Sequence, residues 1–161
     1  MADTMTTPAV TLREIRDENR DAIQALRVRS DQELFVASVA KSFEDAATTP
    51  EGKPWYRAIY AGDEPVGFVM LSWDVTPAPG IIGPWFLWRL LIDERHQRRG
   101  YGRAALARVV DLIRASGATE LFTSYQPGDG EPWPFYRGLG FTPTGEVEEG
   151  EIVLRLDLSV R

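Results

Sequence analysis

The 161-residue chain has no cysteine and one histidine, His96. Without thiols there is no disulfide framework, thiolate zinc site or cysteine nucleophile. One imidazole excludes any site needing two, and no metal is expected. Long apolar runs are missing too. The longest is interrupted by Arg89 and falls short of the ~18 residues that suggest a membrane span. The first ten residues lack a basic stretch leading into an apolar one, so no secretory leader is expected and the chain reads as cytoplasmic. Excess positive charge is also lacking. Asp and Glu number 24 against 18 Lys and Arg, a net charge of −6. This disfavours a general nucleic-acid surface or anionic membrane as partner. Small cationic molecules fit better.

Apolar residues make up 43% of the chain, with five Trp, five Tyr and seven Phe, enough to fill a sizeable core. The length suits one domain. Residues 1–9 read as a flexible tail and residues 10–161 as the domain. Strands are expected at Val10–Ile15, Trp55–Ala61, Pro65–Trp73, Trp85–Ile92, Leu121–Tyr125 and Glu151–Leu158. Helices are expected over about 18–29 behind an Asp17 cap, and at Ser38–Ala47, Gly102–Ser116 and Pro132–Leu139. The order is β-α-α-β-β-β-α-β-α-β, a mixed α/β domain.

Between Arg95 and Arg103 lie four arginines and no acid. The run Gln97-Arg98-Arg99-Gly100-Tyr101-Gly102 joins an apolar strand to the clearest helix. A helix start offers unpaired N–H groups and a positive dipole end. Glycine admits an anion close to the backbone, and arginine adds charge-assisted bonds to phosphate oxygens. Together these read as a pyrophosphate seat. A Walker A loop is excluded, because Arg103-Ala104 follows Gly102. Gly100-x-Gly102-x-x-Ala105 matches a dinucleotide fingerprint, with Glu120 downstream. Too little chain follows for the rest of that fold.

Gln97-x-x-Gly100-x-Gly102 instead resembles the Gln/Arg-x-x-Gly-x-Gly/Ala signature of the GNAT acyl-CoA N-acyltransferases. Phe135-Tyr136-Arg137-Gly138-Leu139-Gly140-Phe141 resembles the Phe-Tyr-x-x-Leu-Gly-Phe box of the same family. The resemblance implies one GNAT-like domain, α/β in class. Its mixed, mostly antiparallel twisted sheet is splayed between the fourth and fifth strands and flanked by about four helices. It implies acetyl-CoA as cosubstrate. The loop Gln97, Arg98, Arg99, Gly100, Tyr101, Gly102 and Arg103 would surround the pyrophosphate. Backbone groups of Leu90, Leu91 and Ile92 would pair with the pantetheine arm. Tyr136 would protonate the departing thiolate, which a phenol can do while neutral at pH 7.

Two positions depart from the pattern. Asp129 stands where many members carry an Asn that bonds the pantetheine, and is assigned to the same side. Trp88, followed by Arg89, stands where the animal polyamine enzymes place a Glu base. A water relay to an acid, or capture of the rare neutral amine, would then supply the nucleophile.

Ile59–Leu71, Phe86–Asp93, Pro143–Glu146 and Gly150-Glu151 resemble the bacterial spermine/spermidine acetyltransferases within the family. That implies a polycationic amine as acceptor. Glu33, Glu44, Asp45 and Trp88 are the candidate acceptor residues. Asp31, Glu146, Glu148 and Glu149 are further acids, and Phe35, Trp73 and Trp85 further aromatics able to meet a cation. An amino-group antibiotic, an amino acid, a protein N-terminus, or a non-catalytic acyl-CoA sensor remain alternatives. The resemblance leaves a homodimer open.

Overall fold

The computed structural model describes residues 8–33 and 35–159. The tail expected over 1–9 therefore lies, for residues 1–7, outside the described residues. Strands are β1 (Thr11–Arg13), β2 (Pro54–Ala61), β3 (Glu64–Ser72), β4 (Phe86–Ile92), β5 (Glu120–Tyr125), β6 (Thr142–Glu148) and β7 (Glu151–Asp157). Helices are α1 (Asp17–Gln24), α2 (Val39–Thr48), α3 (Tyr101–Ala115) and α4 (Trp133–Gly138). All seven strands form one sheet in the order β1-β2-β3-β4-β5-β7-β6. Neighbours are antiparallel except β4 and β5, which run parallel.

Each sheet face carries its own core. On one, Leu87, Leu121, Phe141 and Leu154 pack with Ala105, Val109 and Ile113 of α3. On the other, Ile23 of α1 and Val39 and Phe43 of α2 cover Ala58, Phe68, Met70 and Leu91. The apolar spacing of α3 sets this, placing Ala105, Leu106, Val109 and Ile113 on one buried stripe. Ser38 caps α2 by accepting from the Lys41 N–H at 3.1 Å, and Thr49-Pro50 ends the helix.

Two elements differ from expectation. Helix α1 stops at Gln24 rather than near residue 29, and Arg16, not Asp17, takes its N-cap position. Asn19 Oδ1 accepts the Arg16 N–H at 2.7 Å. Beyond Ala25 the chain is drawn off the helix, because the Arg27 N–H donates to Asp93 Oδ1 at 2.9 Å. The second difference is β6, an additional strand. It pairs with β7 along an exposed edge, from Thr142↔Arg155 to Glu148↔Glu151. Pro143, Gly145 and the lack of a buried face hide it from any apolar alternation.

Candidate active site

The site begins where two strands part. β4 and β5 share one register pair, Phe86↔Phe122. The Phe122 N–H donates to the Trp85 carbonyl at 2.9 Å, and the Thr123 hydroxyl to the Leu87 carbonyl at 2.9 Å. Past Leu87 the strands diverge. The β3–β4 register slips between Met70↔Arg89 and Leu71↔Leu87, leaving Trp88 as the extra residue of a bulge. Leu87 and Leu90 face α3, whereas Trp88 and Arg89 both turn to the α2 side. Further on, the Asp93 N–H bonds the Val66 carbonyl while Ile92 sits opposite Gly67. That phase makes Leu91↔Phe68 the hydrogen-bonded pair. The backbone groups of Leu90 and Ile92 therefore point away from β3 into the gap, and those of Leu91 do not.

A cavity of about 1170 Å³ occupies this gap. One end is closed by the turn before α3. Asp93 anchors it: 2% exposed, it accepts from the Arg27 N–H, the Arg95 N–H and Arg95 Nε at 2.9, 3.2 and 2.7 Å. Burial pushes its carboxyl up, but the bonds from Arg27 and Arg95 outweigh it and hold the group below the usual carboxylate value. Gln97 turns inward. Its Nε2 donates to the Ile92 carbonyl at 2.9 Å and to Gln32 Oε1 at 2.8 Å, tying the turn to the end of β4. Gly100 has φ +84°, a left-handed value that favours glycine, directly before the helix. At Gly102 an added Cβ would meet the Phe135 ring at 3.2 Å, so the missing side chain eases the packing of α4 on the start of α3. Arg98 and Arg103 line this end, and Arg103 Nη2 also donates to the Gly138 carbonyl at 3.1 Å. Unpaired N–H groups, a helix dipole and two guanidiniums make a fitting seat for a diphosphate. The outward backbone groups of Leu90 and Ile92 suit an amide-bearing arm.

Helix α4 carries the wall onward. The Tyr136 ring packs edge-on against Phe135 and Phe141, each with centroids 5.5 Å away. Its phenol reaches the cavity. Burial pushes the phenol above its ordinary value; the Thr123 hydroxyl opposes this, and the Glu151 charge adds to the rise. Glu151 lines the same space and accepts the Ser124 hydroxyl at 2.7 Å. Glu148, at the end of β6, and Glu149 in the turn after it join it, as do Phe35, Phe86 and Trp88. Arg89 also faces the cavity, but its guanidinium is engaged. Nη2 donates to Asp45 Oδ2 at 2.5 Å and Nη1 to the Trp88 carbonyl at 3.0 Å. Burial lowers its pKa, opposed by the charges of Asp45 and Glu151.

The expected site residues thus divide. Leu90, Ile92, Gln97, Arg98, Gly100, Tyr101, Gly102, Arg103, Tyr136 and Trp88 share the cavity. Leu91 does not line it, being 2% exposed among the α1 and α2 contacts. Arg99 and Asp129 are exposed outside it, and Glu131 lines the wall near Asp129 instead. Glu33 and Glu44 are exposed and do not line it either. Asp45 is spent on Arg89 and on Lys41, 3.0 Å away. The acidic wall comes from the C-terminal hairpin instead. Of it, the sequence reading assigned Glu148 and Glu149 and missed Glu151 and Ser124. The alternation of β7 was the one signal available, since it sets Glu151 at the strand's start.

A sheet parting beside a glycine turn at a helix start defines an acyltransferase fold built round a cleft. The chain matches the acetyltransferase (GNAT) family over residues 12–141 and belongs to it. It is an acetyltransferase. The chain is 28% identical over 156 residues to the spermine/spermidine N(1)-acetyltransferase of Bacillus subtilis strain 168, covering 93% of this chain and 99% of that one. It is 26% identical over 83 residues to the ribosomal protein bS18-alanine N-acetyltransferase of Escherichia coli K12, 46% of this chain and 56% of that one. Among solved structures, AAC(6')-Ib in complex with ribostamycin and coenzyme A shares the fold with TM-score 0.71 at 17% identity, covering 92% and 93% of the two chains. The PaiA N-acetyltransferase of Thermoplasma acidophilum in complex with coenzyme A gives 0.66 at 13% identity, covering 92% and 99%.

Proposed function

We propose that this enzyme acetylates a primary amine of a small linear polycation of the spermidine and spermine class, with Tyr136 as general acid. The observation that carries the reading is the division of charge in one cavity. Arg98, Arg103 and the start of α3 line it from the helix side, and Glu148, Glu149 and Glu151 from the β6–β7 hairpin, with Arg29, Arg89 and Glu131 also in its walls. Helix α4 joins the two, with Phe135 on Gly102 and Tyr136 beside Thr123 and Glu151. The near full-length similarity to the Bacillus spermine/spermidine enzyme supports the same class.

Acetyl-CoA supplies an electrophilic carbonyl and a thiolate leaving group. The loop amides with Arg98 and Arg103 hold its diphosphate, and Leu90 and Ile92 offer backbone pairing to its arm. Holding both reactants in one cleft supplies much of the rate. An alkyl ammonium loses one proton to water, and its nitrogen bonds to the carbonyl carbon. The C–S bond breaks, Tyr136 gives its proton to sulfur, and the surplus nitrogen proton restores the phenol. A raised phenol pKa keeps Tyr136 protonated at pH 7. With no cysteine in the chain, no acyl-cysteine intermediate enters. This reading takes residues 10–161 as one domain acting in the cytoplasm.

The test is thiol release from acetyl-CoA against a panel of spermidine, spermine, an aminoglycoside, free amino acids and a peptide N-terminus. Spermidine or spermine as best acceptor supports the reading. Preference for the peptide, or thioester binding without turnover of any amine, overturns it.

A further inference from the structure

No side chain on β4 supplies a carboxylate for the incoming amine, since Trp88 offers only an aromatic face and Arg89 carries the wrong charge. We propose that Glu151 fills this role, as the carboxylate on which the reacting ammonium docks. The inference deepens the amine-acetylation reading and rests on it.

Three features single out Glu151. First, it lines the cavity and lies within electrostatic reach of Tyr136 on α4 and Arg89 on β4, so its charge reaches both walls of the cleft. Second, it is oriented and yet available. Ser124 on β5 donates to Oε1 at 2.7 Å, and among the described residues no ion pair takes the second oxygen. Third, the cation best placed to neutralise it is held elsewhere. Arg89 is tied to Asp45 of α2 at 2.5 Å and to its own strand. The fold thus carries an oriented carboxylate near the proton donor, with the neighbouring guanidinium hydrogen-bonded to Asp45 rather than to Glu151.

Glu148 and Glu149, at the β6–β7 hairpin, line the same cavity, as do Glu131, Arg29, Arg89, Arg98 and Arg103. The charge of Glu148 and Glu149 adds to the attraction for a cation. Glu151 differs from them in its bond to β5, which fixes it relative to Tyr136. An ammonium on its free oxygen presents nitrogen toward the diverging strands. Proton loss to water then frees the lone pair while the carboxylate holds the amine in place.

The test is Glu151→Gln, which preserves size and the Ser124 contact, with Glu151→Asp alongside. Each is assayed against whichever panel amine the native enzyme uses best. A wrong acceptor class then shows in the panel, and a wrong docking residue in the variant ratio. Loss of a desolvated charge partner lowers kcat/KM for the amine about 30-fold. The deficit shrinks as pH approaches ~10.4, where an alkyl amine turns neutral. Calorimetry gives a readout without turnover: the Gln variant binds coenzyme A as the native chain does but binds the amine at least tenfold more weakly. The Asp variant recovers part of both losses. A Gln variant with intact coenzyme A binding, and with amine affinity and kcat/KM within about twofold of native, overturns the proposal.

Discussion

The two ends of the cavity are made of different material. The end at residues 97–103 is built chiefly from backbone: a left-handed glycine, the free amides of a helix start, and strand groups turned away from β3. The end at the β6–β7 hairpin is built from side chains, with Glu151, Ser124, Trp88, Phe86 and Phe35 arriving from four separate segments. Backbone geometry favours particular residues at fixed spacing, because glycine relaxes most easily at φ +84° and an absent Cβ gives Phe135 room on Gly102. A side-chain wall imposes no such preference. One end can be shared by enzymes with different acceptors while the other is rebuilt.

The largest effect is expected at the junction of the ends. Tyr136→Phe keeps the ring packing and removes the proton donor. Turnover falls about 100-fold, the lower range for general-acid loss, while calorimetry gives unchanged coenzyme A affinity. An unaltered rate would detach Tyr136 from the chemistry.

The anchor of the backbone end comes next. Asp93→Asn removes a buried charge that accepts three hydrogen bonds, costing about 1.5–3 kcal/mol of stability by analogy with charged bonds elsewhere. Because the native carboxyl is held low, its contribution is present above the ordinary aspartate value and is lost as pH falls through the folded one. Urea melts should therefore separate native and variant fully at pH 7 and converge in acid. Equal separation at every pH would break the link.

Gly100→Ala strains the left-handed position by roughly 1–2 kcal/mol. It should weaken coenzyme A binding several-fold while the KM for the amine holds. At the opposite end the pattern inverts. Asp45→Asn frees Arg89 toward Glu151, lowering kcat/KM for the amine by roughly tenfold at unchanged coenzyme A affinity. If both variants disturbed both ligands alike, the two ends would not be separable.

The same contrast governs what the sequence discloses. Gln97, Gly100, Gly102 and Tyr136 stand out through short motifs that resemble the family's, and they share the cavity. Strand β4 is visible as an apolar run, but its bulge is not. Without the bulge, Leu91 cannot be told from Leu90 and Ile92 in the direction of its backbone. Glu33 and Glu44 look like acceptor acids because they are acidic and N-terminal. Solvent claims them, while Arg89 claims Asp45 through a contact 44 residues distant. Glu151 is inconspicuous among the C-terminal acids until β5 and β7 pair and bring Ser124 to it. Edge strand β6, nearly all polar and holding Pro143 and Gly145, offers no periodicity to detect.

The lone pairing of Phe86 with Phe122 works as a single stitch in a spine. On either side the half-sheets β1–β4 and β5–β7 are laced internally, and beyond the stitch they hang open like facing pages. A molecule whose amides bridge the open margin would bind the pages together. Bound coenzyme A should then raise the unfolding temperature through mass action, and slow deuterium uptake earliest at the amides of Leu90 and Ile92.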